Sequence, residues 1–92
     1  MPENKRLKLK IVKPDEAAKE YECFSVRFFV PPAADGSGGG WLGVRPGHAR
    51  MLAAVAPGDI LAFDHEGAEP VRIACSRGFV SVENDIVSVI TI

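Results

Sequence analysis

The sequence predicts an all-β domain, a sandwich or a barrel of about eight to ten short strands. Apolar residues recur at every second position in several short stretches, the period of a half-buried strand. Pro, Gly, Asn and Asp interrupt the chain about every 8–12 residues, as turns between strands do. A helical period is almost absent: only residues 16–20 and 48–54 leave room for a helical turn.

Taken in order, Leu7, Leu9 and Ile11 alternate with Lys8 and Lys10, a strand with one wet face. Lys13-Pro14-Asp15 ends it. Residues 21–30 read as the longest strand, with Phe24, Val26, Phe28 and Val30 toward the core. Tyr21, Arg27 and Phe29 occupy its other face, which is therefore not simply solvated. Pro31-Pro32 stops it, and the Gly/Ser-rich residues 33–40 read as a flexible loop. Residues 41–44 and 51–55 are two further strands. Ala56-Pro57-Gly58-Asp59 is a turn. Residues 60–63 and 71–75 flank a polar loop, a hairpin signal, and Ser76-Arg77-Gly78 is the next turn. Residues 79–83 and 86–92 flank Asn84-Asp85, a two-residue connection that suits a primed turn.

Ninety-two residues make one domain, residues 1–92, with a modest core. Net charge is −1, so no global charge draws the chain to nucleic acid or anionic lipid. The local distribution is uneven. Lys5, Arg6, Lys8, Lys10 and Lys13 crowd the start, and Asp59, Asp64, Glu66 and Glu69 the middle. Both groups read as solvated faces; calcium would want a tighter ligand pattern than the acids offer. No apolar h-region of a signal peptide is visible, and the apolar run 51–56 is far short of the ~20 residues of a membrane span. A cytoplasmic chain with reduced thiols is expected.

Few residues invite chemistry. Cys23 and Cys75 lack a CxxC spacing and read as small strand hydrophobes. The two histidines, His48 and His65, fall in different segments, so a paired metal site is not expected. The glycine loop lacks the Gly-Lys-Ser/Thr ending of a phosphate loop and no helix is expected after it. No catalytic residue, cofactor or metal is expected. The least random stretch is Gly43-Val44-Arg45-Pro46-Gly47-His48-Ala49. Its Pro-Gly sets a tight turn and hands on a histidine, suited to a contact surface or to local turn chemistry.

Four segments, in order, resemble the N-terminal β-sandwich of the epsilon subunit of F-type ATP synthases. They are Leu9-Lys10-Ile11-Val12-Lys13-Pro14-Asp15; Asp35-Gly36 followed by Leu42 through Ala49; Val55-Ala56-Pro57-Gly58-Asp59-Ile60; and Ile73 through Val82 followed by the last strand. Together they span nearly the whole chain. Two departures stand out. Residues 36–40 are longer and richer in Gly than usual, and Trp41 stands where the family often carries a polar or acidic residue. The sequence ends at Ile92, where the family usually continues into two helices.

The resemblance implies a two-sheet sandwich and a non-catalytic rotor subunit of a proton-transporting ATP synthase. It would join the gamma subunit to the c-ring and so couple ion flow to ATP synthesis or hydrolysis. By match to the family, Lys13, Pro14, His48, Pro57, Gly58 and Ile60 would face gamma. Gly40, Trp41, Leu42, Gly43 and Val44 would face the ring. Location at the cytoplasmic face of the membrane, as part of the complex, follows from the same resemblance. So does an apolar patch on the isolated domain, and coupling without the inhibitory brake that the family's helices supply. The rival readings are a small nucleic-acid-binding barrel, using Lys8, Lys10, Tyr21, Phe28 and Phe29, an enzyme using Cys75 or His48, and a generic β-sandwich adaptor.

Overall fold

Alternation along each strand builds the core. The structure, a computed structural model, describes residues 5–92. In β1 (Leu7–Val12) Leu7, Leu9 and Ile11 are buried while Lys8 and Val12 face out. The same rule sets β2 (Lys19–Cys23), β3 (Ser25–Val30), β4 (Gly40–Val44), β5 (Met51–Val55) and β6 (Gly58–Phe63). It continues through β7 (Val71–Cys75), β8 (Gly78–Glu83) and β9 (Ile86–Thr91).

The nine strands form two sheets, of order β2-β1-β9-β8-β5 and β4-β3-β6-β7. All neighbours are antiparallel except β1 and β9, which pair in parallel and join the two ends of the described chain. Between the sheets lie Leu7, Leu9, Val26, Phe28, Val44, Ile60, Val80, Val82, Val87 and Val89, all almost fully buried. This is the two-sheet sandwich that the resemblance implied, and the described residues contain no helix.

Five local readings are corrected. Residues 21–30 form two strands, broken at Phe24, because β2 belongs to the five-stranded sheet and β3 to the other. The Phe24 N–H donates to the Phe63 carbonyl (2.8 Å). One residue spent at this crossing shifts the phase, so that Cys23 and Val26 both face inward and Phe24 does not. Residues 16–20 hold no helical turn: a Pro14–Asp15 turn leads through an extended piece into β2. Residues 48–54 are likewise not helical, because β5 pairs along its length with β8. The loop at 33–40 is folded on itself. Gly36 N–H donates to the Ala33 carbonyl (2.8 Å), and Asp35 Oδ1 accepts from the Ser37 amide (2.9 Å) and hydroxyl (2.6 Å). The expected turns at 56–59 and 76–78 are shorter than read, since Gly58 and Gly78 already belong to strands.

The last hairpin fulfils its signal. Asn84 (φ 52°) and Asp85 (φ 61°) both sit in the left-handed region, the pair of a type I′ turn.

Candidate functional site

The strand directions give the sandwich two unlike ends. One carries the β2–β3 crossing, the β4–β5 turn with His48, the β6–β7 loop and the Asn84-Asp85 turn. The other carries residues 13–18, the 31–39 loop, Ala56-Pro57 and Ser76-Arg77.

His48 sits on a type II turn. Pro46 and Gly47 (φ 86°) are its central residues, and the His48 N–H donates to the Arg45 carbonyl (3.1 Å). The Gly47 N–H donates to Asp85 Oδ1 (2.7 Å), which ties this turn to the last hairpin. His48 Nδ1 lies 2.7 Å from the Ala49 carbonyl oxygen, which accepts its proton, so one ring nitrogen serves the turn itself.

The other residues expected to face gamma lie at the opposite end. Lys13 Nζ donates to the Ala74 carbonyl (3.1 Å), bridging the end of β1 to the edge of the other sheet. Pro14 is exposed beside it, as are Pro57 and Gly58 where β6 begins. Ile60 is a core residue, 1% exposed, because its parity in β6 points it between the sheets. Val44, at 0%, is buried for the same reason in β4. Of the remaining residues expected to face the ring, Gly40 opens β4, Leu42 leans into the core, and Gly43 lies on the outer face. Trp41 is exposed and stacks edge-on against Phe29 (centroids 5.5 Å apart, planes at 89°).

The feature that residue matching missed is a row across the outer face of the five-stranded sheet. Register sets Ala54 beside Phe79, Phe79 beside Ile90, and Ile90 beside Val12. Phe79 (53% exposed), Ile90 (54%) and Val12 (37%) all face solvent, with Leu52 (75%) one step along β5 and Ile92 (66%) just past β9. An open groove of ≈ 360 Å³ continues the row past Phe79 to Pro31 and Pro57. Pro57 lines that groove, and Lys13 and Pro14 follow Val12 directly in the chain, at the β1 end of the row. The rest of that face is mostly polar, with Lys8, Lys10, Glu20, Ser81 and Ser88, and holds Ile86 (40% exposed) near its far end. A contiguous apolar row rimmed by polar residues is the surface of a molecule built to be covered. The signal was present in β8 and β9, whose apolar residues occupy both parities.

Little here resembles an active site. Cys23 and Cys75 are both buried and free, at opposite ends of the sandwich. Burial pushes both thiols up from their ordinary range, the reverse of what a nucleophilic thiolate needs. Among the described residues no three His, Cys, Asp or Glu side chains gather to hold a metal. Arg6 spans one end as a clamp, its guanidinium donating to Asp64 Oδ1 (2.5 Å) and lying 3.4 Å from Glu22.

A family model described as ATP synthase, Delta/Epsilon chain, beta-sandwich domain matches residues 6–92. Among solved structures, the chain is similar to one in the cryo-EM structure of the Euglena gracilis mitochondrial ATP synthase, OSCP/F1/c-ring in rotational state 1. The TM-score is 0.68 at 23% identity, over 94% of this chain and 50% of that one. The present chain thus spans about half the length of the solved chain that it matches. No curated protein matches the sequence.

Proposed function

The chain belongs to the ATP synthase Delta/Epsilon β-sandwich family, and from that premise we propose that it is a non-catalytic central-stalk subunit of a rotary, proton-transporting ATP synthase. It joins the gamma subunit to the c-ring at the cytoplasmic face of the membrane. It keeps the two turning together, so that ion flow and nucleotide chemistry stay coupled.

The observation that carries this reading is the family match over nearly the whole chain. The outer apolar row supports it. Torque needs a body that does not deform and a contact that does not slip. Two close-packed sheets supply the first. The row Val12, Ile90, Phe79 and Leu52 supplies the second, since burying each exposed side chain contributes about 1.5–3 kcal/mol. Gamma seats on this row, with Lys13, Pro14, Pro57 and Gly58 at its rim. A partner that also reached His48 would have to run the length of the sheet. The ring meets the adjoining end, where Gly40 and Trp41 stand out beside the folded 33–39 loop.

Co-purification from native membranes tests this. The tagged chain should bring down gamma and c-subunits in one complex. A stable chain that recovers neither would overturn the reading and leave a sandwich adaptor with another partner.

A further inference from the structure

Two arginines at the His48 end, Arg27 and Arg45, have no partner of opposite charge among the described residues. Pairing of Val26 with Val44 and Arg27 with Gly43 brings β3 and β4 together, and one more step of that register sets Arg45 across from Ser25. Arg27 and Arg45 are therefore diagonal neighbours on the outer face of the four-stranded sheet. Each lays its guanidinium against a ring: Arg27 Cζ is 5.4 Å from the centre of Phe63, and Arg45 Cζ 5.8 Å from that of Phe24. The rings steady the two cations, and among the described residues neither guanidinium donates a hydrogen bond. Arg6, Arg50 and Arg72 each have a carboxylate within 4.0 Å; among the described residues Arg27 and Arg45 have none.

The space around them is open. Two grooves, of ≈ 440 and ≈ 230 Å³, share Ser25, Arg27 and Arg45. Gly43 has no side chain to fill the first, beside Arg27. His48 closes that groove, with Nε2 uncommitted because Nδ1 serves the turn. Glu66 stands on the far side of the second groove, its one acid.

Like charges on neighbouring strands repel, and among the described residues no carboxylate lies within 4.0 Å of either, Glu66 standing only across the second groove. A ligand that does so must bring about two negative charges and enough oxygens for two forks. A carboxylate carries one charge and satisfies one arginine. A phosphate group carries the charge and the oxygens for both.

We propose that the groove between Arg27 and Arg45, with Ser25 and His48 at its walls, binds a phosphate group, either free or carried on a lipid headgroup. The site lies on the other sheet and at the other end from the apolar row, so a partner seated on that row leaves it open.

The test is a titration of the isotope-labelled chain with inorganic phosphate against chloride at equal ionic strength, followed by NMR. Saturable shifts are expected at the Arg27 and Arg45 Nε–H groups and at the Ser25 amide. Arg27→Gln and Arg45→Gln should each weaken binding about tenfold, the loss of one charge-assisted contact. Arg72→Gln should leave it unchanged. Because Arg27 also covers Phe63, a melting curve accompanies each variant; if Arg27→Gln fails to fold, Arg45→Gln decides alone. Flotation with phosphatidylcholine vesicles, with and without phosphatidic acid, separates the sources. Arginine-dependent flotation without response to inorganic phosphate assigns the headgroup; a response to phosphate alone assigns the free anion. Absence of both, or binding that survives loss of the arginines, overturns the proposal.

Discussion

Single atoms decide several features of this domain. Gly78 opens β8 where its backbone presses on β9: a Cβ there would collide with the Ile90 carbonyl oxygen and lie 2.8 Å from Thr91 Cα. Backbone cannot swing aside as a long side chain can. Gly78→Ala should therefore cost about 3 kcal/mol, the upper part of the overpacking range. Urea unfolding will show this as a lower midpoint at unchanged slope, whereas a loss under about 0.5 kcal/mol would mean that β8 and β9 separate easily. Asp85 shows how one residue serves two elements. It adopts the left-handed turn and its carboxylate holds the Gly47 N–H. The Asn84-Asp85 turn is legible in sequence because its chemistry is local. The contact to Gly47, 38 positions away, is not.

Among the elements, the 33–40 loop departs most from its sequence reading. Composition argued freedom, yet Asp35 and Ser37 close it on itself. The hydrogen bonds from Ser37 favour the ionised carboxylate and hold Asp35 below its ordinary 3.8. The sign follows. The folded carboxyl is the stronger acid, so its contribution is present above the unfolded value and is lost as pH falls through the folded one. An NMR titration should find the Asp35 carboxyl midpoint below 3.8, with the Ser37 amide signal moving at the same midpoint. Ser37→Ala should move that midpoint upward; a midpoint unchanged by the substitution would rule the turn out. The β2–β3 break is a different kind of miss. An apolar alternation at 24, 26, 28 and 30 looks continuous, and only the sheet that each half joins reveals the shift at Phe24.

At the scale of the whole molecule, the apolar row sets the main expectation. Leu52 and Phe79 contribute little to the folded domain because they are more than half exposed. Leu52→Ser or Phe79→Ser should move domain stability by no more than about 0.5 kcal/mol. The same changes should weaken capture of gamma about tenfold or more, since a buried side chain of this size contributes over 1.4 kcal/mol. Pull-down at graded gamma concentration checks this against Arg72→Gln on the other sheet. Equal capture by all three variants would move the gamma contact off this face. Residue matching to the family grouped His48 with Lys13 and Pro57, but the fold sets them at opposite ends. It also buried Ile60 and Val44.

The sequence by itself determined most of the strands, their inward residues apart from Phe24, and the primed turn of the last hairpin, because period-two alternation and turn chemistry act over a few residues. Beyond the two hairpins β6–β7 and β8–β9, tertiary structure alone decided which strands are neighbours. The apolar row needs β5, β8, β9 and β1 side by side, and the arginine pair needs β3 against β4. Pairing of distant strands is set by how the two faces of each sheet are shared between core and solvent, a property of the assembled sandwich that no single segment encodes.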